Sequence, residues 1–408
     1  MEIIEGIYFF YMFVSLFFLI LTLLLYFHNK NRLMHIPELK ENYPLSVLIP
    51  AYNEEGTIQG TIESIFSSNY KGLKEVIVIN DGSKDNTLKI ANSLKKKYPK
   101  LIVLDKKNSG KADSINYALK FVKGDFVAII DADSYPEKNA FSHLMGYFSD
   151  TSVGAVTAAC TPLNRNTMLE RLQAIEYKVI AFTRKLLEFI DSIYVAPGSL
   201  SVYRKTALDE IGGFDKTNMT EDIESTWHIL KNGWKVKMCL AATVTTVVPN
   251  KFKAWWIQRV RWTIGGFQVL KKYCRHIFQK SMFGYFVIPF FAFGLSIGLL
   301  GVGIFFYLLL GRALNQVEIA LYKMHANVSV VSLADLSMTP TLLNYFGIVL
   351  FVLFLLFTFF VLFTMRDKFL KKENLFEVII YMTLYLIVYP FMIIWSIYKW
   401  NKGEFRWR

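Results

Sequence analysis

An uncharged apolar run of bilayer length, Ile7–Phe27, opens the chain, and three more lie near its end, at about Phe283–Leu310, Leu342–Met365 and Phe376–Trp400. Hydrocarbon offers the backbone no hydrogen-bond partners, so runs of this kind fold as helices. Whatever else the chain builds is confined between them and held at a lipid surface. Glu2 and Glu5 precede the first run and no small-residue cleavage site follows it, so it reads as a span and not as a signal peptide. Lys30, Arg32 and Lys40 come next, which by the positive-inside rule places the following segment in the cytoplasm and the N-terminus outside. Pro289 and Pro390 fall inside two of the later runs, as membrane bundles tolerate. The basic linker Arg366–Asn374 is expected in the cytoplasm and Gly311–Thr341, with the sequon Asn327-Val328-Ser329, outside. Four spans then leave the basic tail KWNKGEFRWR on the wrong side, unless one long run is a re-entrant pair.

The net charge of +13 sits largely beside these runs, as suits anionic headgroups, and a nucleic-acid partner is not expected. Cys160, Cys239 and Cys274 are odd in number and widely spaced, which fits neither a disulfide framework nor a zinc site.

From Leu45 the texture changes to short strands alternating with helices. LSVLIP (Leu45–Pro50), EVIVIN (Glu75–Asn80), Leu101–Asp105 and Phe126–Ile130 read as strands, and Ile58–Ser68, Asp85–Tyr98 and Lys111–Val122 as helices. That alternation predicts an α/β domain, a mostly parallel sheet with helices on both faces. Ligands of such sheets collect where the strands end. Polar loops stand at those ends: PAYNEE after the first strand, Asp81 after the second, NSGKADSIN with Lys111 after the third, and Asp131 and Asp133 after the fourth. Two carboxylates one residue apart form a hard-oxygen site suited to Mg²⁺ or Mn²⁺ on a diphosphate. Any one of these loops is equally explained as turn chemistry; four on one edge are not.

Two further segments bear on the membrane. Met168–Ile190 is amphipathic, with Met168, Leu172, Ile175, Val179, Phe182 and Leu186 on one face and Glu170, Arg171, Lys178 and Lys185 largely elsewhere, and reads equally as a core-facing or an interfacial helix. Lys251–Tyr273 mixes Trp255, Trp256 and Trp262 with Lys253, Arg259 and Arg261, the composition of a headgroup layer.

In order along the chain, PAYNEE, the Asp81 loop, SGKADSIN, DAD, Thr220-Glu221-Asp222 and QRVRW (Gln258–Trp262) resemble the motifs of processive family 2 glycosyltransferases, poly-N-acetylglucosamine synthases foremost, then hyaluronan, chitin and cellulose synthases. The resemblance runs from about Leu45 to Tyr273. It implies a GT-A-type nucleotide-sugar-binding domain and inverting transfer from a UDP-sugar, with UDP-N-acetylglucosamine the first choice, onto a growing polysaccharide. It assigns Pro50, Ala51, Tyr52, Glu54, Asp81, Lys111, Asp131 and Arg261 to the donor, Asp133 with Asp131 to the metal, and Asp222 with Glu221 to catalysis, Asp222 as general base. Gln258, Trp262, Gly198 and Ser199 fall to the acceptor. A capping role for Asp222 and an interfacial role for Trp262 are the plainer alternatives. The division that follows is 1–44 as first span and linker, 45–250 as a cytoplasmic transferase domain, 251–282 as interfacial helices and 283–408 as a multi-pass membrane region. A small accessory membrane subunit is left open. Several relatives have two N-terminal spans where this chain has one, and no regulatory domain is expected after the last span. Single-sugar transfer to a lipid phosphate is the nearest rival. A transporter with a nucleotide-binding regulatory domain is remote, because the C-terminal spans carry essentially no buried ionisable residue.

Overall fold

The fold is described from a computed structural model covering residues 2–279, 281–326, 342–365 and 374–403. The first apolar run forms α1 (Glu2–Asn29). The α/β alternation follows as β1 (Leu45–Ala51), α2 (Ile58–Phe66), β2 (Leu73–Asp81), α3 (Thr87–Leu94), β3 (Leu101–Lys106), α4 (Lys111–Leu119) and β4 (Phe126–Ile129). β3, β2, β1 and β4 lie side by side in parallel, as the alternation requires. Their side chains are buried on both faces along β1, β2 and β4, which explains the continuous apolar runs. α3 starts two residues later than expected, because Asp85 stays outside it: its Oδ1 accepts hydrogen bonds from the Thr87 N–H and hydroxyl at 3.0 and 2.5 Å. β2 extends to Asp81, so this carboxylate ends a strand and does not sit in the loop.

The second half of the sheet is antiparallel in part. β5 (Ser134–Pro136), α5 (Ala140–Met145), β6 (Val153–Pro162), α6 (Met168–Glu188), β7 (Ser201–Arg204), α7 (Lys205–Glu210), α8 (Glu221–Lys231) and β8 (Lys235–Thr246) complete the domain. β7 pairs antiparallel with both β4 and β6, β8 runs parallel to β6, and β5 closes the edge antiparallel to β8. The sheet is thus eight-stranded and mixed, in the order β3-β2-β1-β4-β7-β6-β8-β5.

α6 has two buried faces. It packs on β6 and β8 and, on its other side, on α1 and the C-terminal helices. The expectation that Lys178 and Lys185 lie off the buried stripe is corrected here, since both are buried. Lys185 is held inside by Glu188 at 2.7 Å and by the carbonyl of Met238 at 2.8 Å. α9 (Phe252–Tyr273) follows, then α10 (Ile288–His325), entered through a π-helical turn at Phe283–Val287. α11 (Leu342–Thr364) comes next, and α12 (Leu375–Ile380) continues through a π turn, Tyr381–Tyr385, into α13 (Leu386–Asn401). Four helices are long and apolar enough to cross a membrane: Glu5–Arg32, Phe283–His325, Gly347–Thr364 and Leu375–Asn401. Each is unbroken, so no described span is a re-entrant pair, and α10 carries on well past Gly311. The sequon at Asn327, most of the linker after Met365 and the end of the basic tail lie outside the described residues. One ionisable group is buried at the start of the last span, contrary to expectation. Glu377 closes a capping box with Asn374 and pairs with Arg171 of α6 at 2.7 Å.

Candidate active site

The ends of β1, β2 and β4, the start of α8 and one face of α9 enclose a cavity of 380 Å³. Every residue assigned above from the sequence lines it: Pro50, Ala51, Tyr52, Glu54, Asp81, Lys111, Asp131, Asp133, Gly198, Ser199, Glu221, Asp222, Gln258, Arg261 and Trp262.

The loop after β1 turns inward because Asn53 adopts a left-handed φ of 55°, which asparagine tolerates better than most residues. Its neighbours stitch this loop to the one after β2. Asn53 Oδ1 accepts from the Lys84 N–H at 2.8 Å, and Glu55 Oε2 from the Asn86 N–H at 3.0 Å. Glu54 is left facing the cavity, and burial, opposed by the Thr57 hydroxyl and reinforced by Asp131, raises its pKa. Asp81 is committed to its surroundings. Its oxygens accept from the Ser109 and Gly110 N–H groups at 3.0 and 2.9 Å and from Lys106 at 2.8 Å, so it shapes the loop that leads into Lys111.

Lys111 opens α4 and bridges two carboxylates, Asp131 at 2.6 Å and Glu221 at 2.7 Å. Burial opposes its charge, but Asp131, Glu221 and Asp222 together hold its pKa above the usual lysine value. Gly198 lets the chain pass close beside this pair: a Cβ there would stand 2.5 Å from Lys111 Nζ and 3.0 Å from Asp131 Oδ1, so the lysine tip would have to shift. Asp133 receives hydrogen bonds from Ser134 and Thr246 at 3.2 and 3.1 Å. Burial, then the charges of Asp131 and Glu54, push its pKa up to about 7. Desolvated carboxylates that repel one another are the environment a divalent cation relieves. Among the described residues no cluster of three or more His, Cys, Asp or Glu has metal-ligand geometry. Asp131 and Asp133, which line the cavity together, fit a divalent ion held by one or two carboxylates and completed by phosphate and water.

Asp222 lies in the first turn of α8; the cap residue Thr220 makes no side-chain cap hydrogen bond, and Asp222 Oδ1 itself accepts from the Ile223 N–H at 2.9 Å, so a helix-start role stands beside the catalytic one. Burial, then Glu221, raise its pKa to about 6, against the pull of Lys111. α9 approaches this motif closely. A Cβ on Gly265 would fall 2.1 Å from Thr220 Oγ1, so only glycine lets the helix bearing Gln258, Arg261 and Trp262 come this near. The Arg259 guanidinium lies over the Trp262 ring, 4.1 Å from its centroid. Arg259 is in turn buried against Glu176 of α6 at 2.5 Å, and Glu176 also accepts from the hydroxyls of Tyr385, at 2.7 Å, and Tyr389. Trp255 donates to Tyr385 at 2.8 Å, so α6, α9 and the last span meet in one polar hub directly behind the cavity wall. This packing places Trp255 in a protein core and not in a headgroup layer.

Sequence reasoning passed over Thr246, Cys160, Tyr177 and Arg184, which also line the cavity. They lie in no motif. Thr246 ends an edge-side strand, and the α6 residues belong to a helix whose charged positions resemble a solvent face.

A mixed sheet of this order, with two carboxylates at the end of its fourth strand and a third at the opposing helix, is that of a GT-A glycosyltransferase. The family described as Glycosyltransferase like family 2 matches residues 43–265, more than half of the chain, and the chain belongs to that family. Two poly-beta-1,6-N-acetyl-D-glucosamine synthases are among its relatives. The one from Staphylococcus aureus (strain MSSA476) is 28% identical over 299 residues, 71% of this chain and 72% of that protein. The one from Staphylococcus epidermidis is 31% identical over 276 residues, 66% and 67% of the two chains. Among solved structures, the mannosyltransferase PcManGT from Pyrobaculum calidifontis, in complex with GDP-Man and Mn²⁺, matches with a TM-score of 0.55 at 21% identity, over 79% of this chain and 94% of that one, a likeness of fold.

Proposed function

We propose that this glycosyltransferase polymerises sugar units from a UDP-sugar, UDP-N-acetylglucosamine first, into a β-linked polysaccharide at the cytoplasmic face and passes the chain across the membrane. The observation that carries the reading is that Gln258, Arg261 and Trp262, from a helix packed on the last membrane span, share one cavity with Asp133 and Asp222. Donor chemistry and an aromatic acceptor wall therefore face the same space. Tyr52, Glu54 and Lys111 hold the nucleotide end, and Arg261 braces the diphosphate through its forked donors. Asp133, with Asp131, would hold Mg²⁺ or Mn²⁺, which neutralises charge developing on the diphosphate. Asp222 takes the proton from the acceptor hydroxyl as its oxygen bonds to the anomeric carbon and the bond to UDP breaks. Trp262 offers its face to the acceptor sugar.

The test uses the purified chain in lipid vesicles with labelled UDP-N-acetylglucosamine and Mg²⁺ or Mn²⁺. Long polymer is expected while most acceptors are still untouched, and excess chelator should abolish UDP release. Product confined to one sugar on a lipid acceptor, or full activity in chelator, would overturn the reading. Activity of the chain alone also decides whether an accessory subunit is required.

The cytoplasmic placement has its own probe. Cys160 and Cys239 are buried and unsuited to labelling, whereas Cys274, just past α9, is exposed. Cys274 is expected to resist an impermeant thiol reagent in intact cells and to react after permeabilisation. Labelling before permeabilisation would reverse the orientation.

A further inference from the structure

Six carboxylates and three cations line the cavity. Of the cations, Lys111 is doubly paired. Arg184 is different. It projects from α6 one turn beyond Ile180 and Ala181 and two beyond Tyr177, all of which line the same wall with Cys160. The residue is 8% exposed, its Nε has no hydrogen-bond partner, and it forms no ion pair with any described residue. The fold does not treat its other buried cations this way. Arg259 bonds Glu176, Gln258 and Tyr389, and Lys185 bonds Glu188 and the Met238 carbonyl. A buried guanidinium without hydrogen bonds is costly and persists where a ligand completes it. Burial also pulls its pKa below the usual arginine value, against the charges of Tyr194, Cys160 and Asp222.

We infer that Arg184 is an acceptor-binding residue, donating hydrogen bonds to oxygens of an uncharged sugar held beside Asp222. This rests on the transferase reading above. An anionic ligand is disfavoured because the wall already holds twice as many carboxylates as cations and the donor adds a diphosphate, and a cationic group is disfavoured only in contact with Arg184 itself. In the reading above the donor diphosphate is held at the strand-end carboxylates, whereas Arg184 stands on the α6 wall. Cys160, Ile180 and Ala181 give this wall small apolar surfaces beside the guanidinium, so it takes a group presenting an oxygen and a little hydrocarbon. An ammonium group in direct contact with the guanidinium would meet a like charge there, which makes Arg184 a discriminator between acylated and free amino sugars in the acceptor.

The test compares oligosaccharides of N-acetylglucosamine and of glucosamine as acceptors for the full chain in vesicles. In Arg184→Gln, which keeps a donor and loses the charge, the KM for the acetylated acceptor should rise roughly tenfold to a hundredfold. Preference over glucosamine should shrink, and UDP affinity should hold. Arg184→Lys keeps the charge, so it should retain the preference while losing affinity, and it stands in if Arg184→Gln fails to fold. Unchanged acceptor KM and unchanged preference in a variant that still binds UDP would overturn the inference. Failure of the wild type to use UDP-N-acetylglucosamine would instead count against the function proposed above.

Discussion

Replacing Asp222 by Asn is expected to lower the transfer rate by about 10²–10⁴-fold, the contribution typical of a placed general base, while UDP binding persists. Asn fills the same space and can still accept from the Ile223 N–H, now 2.9 Å from Asp222 Oδ1. The helix keeps its start, because the Asn side-chain oxygen satisfies the same first-turn N–H and asparagine serves helix N-termini about as well as aspartate. Loss of rate therefore reports loss of the proton acceptor. The pH profile supplies a second reading. Burial raises the Asp222 pKa to about 6, so the ionised form that serves as base fills in as pH rises through that value. The wild-type rate should climb through about pH 6, and in Asp222→Asn that limb should vanish along with most of the rate. Calorimetric UDP affinity and turnover, measured on both proteins across pH, check this. Near-normal turnover in the variant would move the base elsewhere.

The largest stability effect is expected at Glu176. The residue is 5% exposed, and its carboxylate is the shared acceptor for Arg259, Tyr385 and Tyr389. Glu176→Ala leaves the Arg259 guanidinium buried and unpaired, and breaking a buried pair from one side typically costs about 3–5 kcal/mol. Removing both charges is different. Glu176→Leu with Arg259→Met should recover much of that loss, because well-packed apolar replacements of an ion pair are commonly neutral or better. Transfer should not recover with it, since Trp262 loses the guanidinium beneath its ring. Denaturation midpoints in nanodiscs, set beside acceptor KM, separate the two outcomes. A double variant less stable than Glu176→Ala, or one with normal acceptor KM, would count against this role for the hub.

What the sequence made legible follows from how each feature is encoded. β1, β2 and β4 are buried on both faces, so each appears as an unbroken apolar run, and the carboxylates after Ile130 stand out against it. The later strands carry no such mark. β7 is four residues long, and β6 is rich in alanine and threonine. β8 alternates apolar residues with lysine and threonine, and their pairing joins segments far apart in the chain. Buried charge is the other blind spot. Glu176, Lys178, Arg184 and Lys185 fall on α6 as surface residues would, and periodicity has no means to tell a helix buried twice from one half in water. The motif residues line one cavity because strand ends and helix starts fix direction. Arg184 and Tyr177 belong to no such landmark.

The double burial of α6 has a practical consequence. Leu172 and Ile175, with Trp255 of α9, share an apolar cluster with Leu362, Val378, Tyr381 and Tyr385 of the C-terminal helices. Phe182 and Leu186 join the sheet core and Val361 alike. No scissor-cut ahead of α10 would release a self-contained water-soluble enzyme. The excised piece would bare one flank of α6, strip Glu176 of both tyrosines and Arg171 of Glu377, and so expose greasy and ionic surface together. For this chain the bilayer half is scaffolding for the catalyst, not merely its mooring.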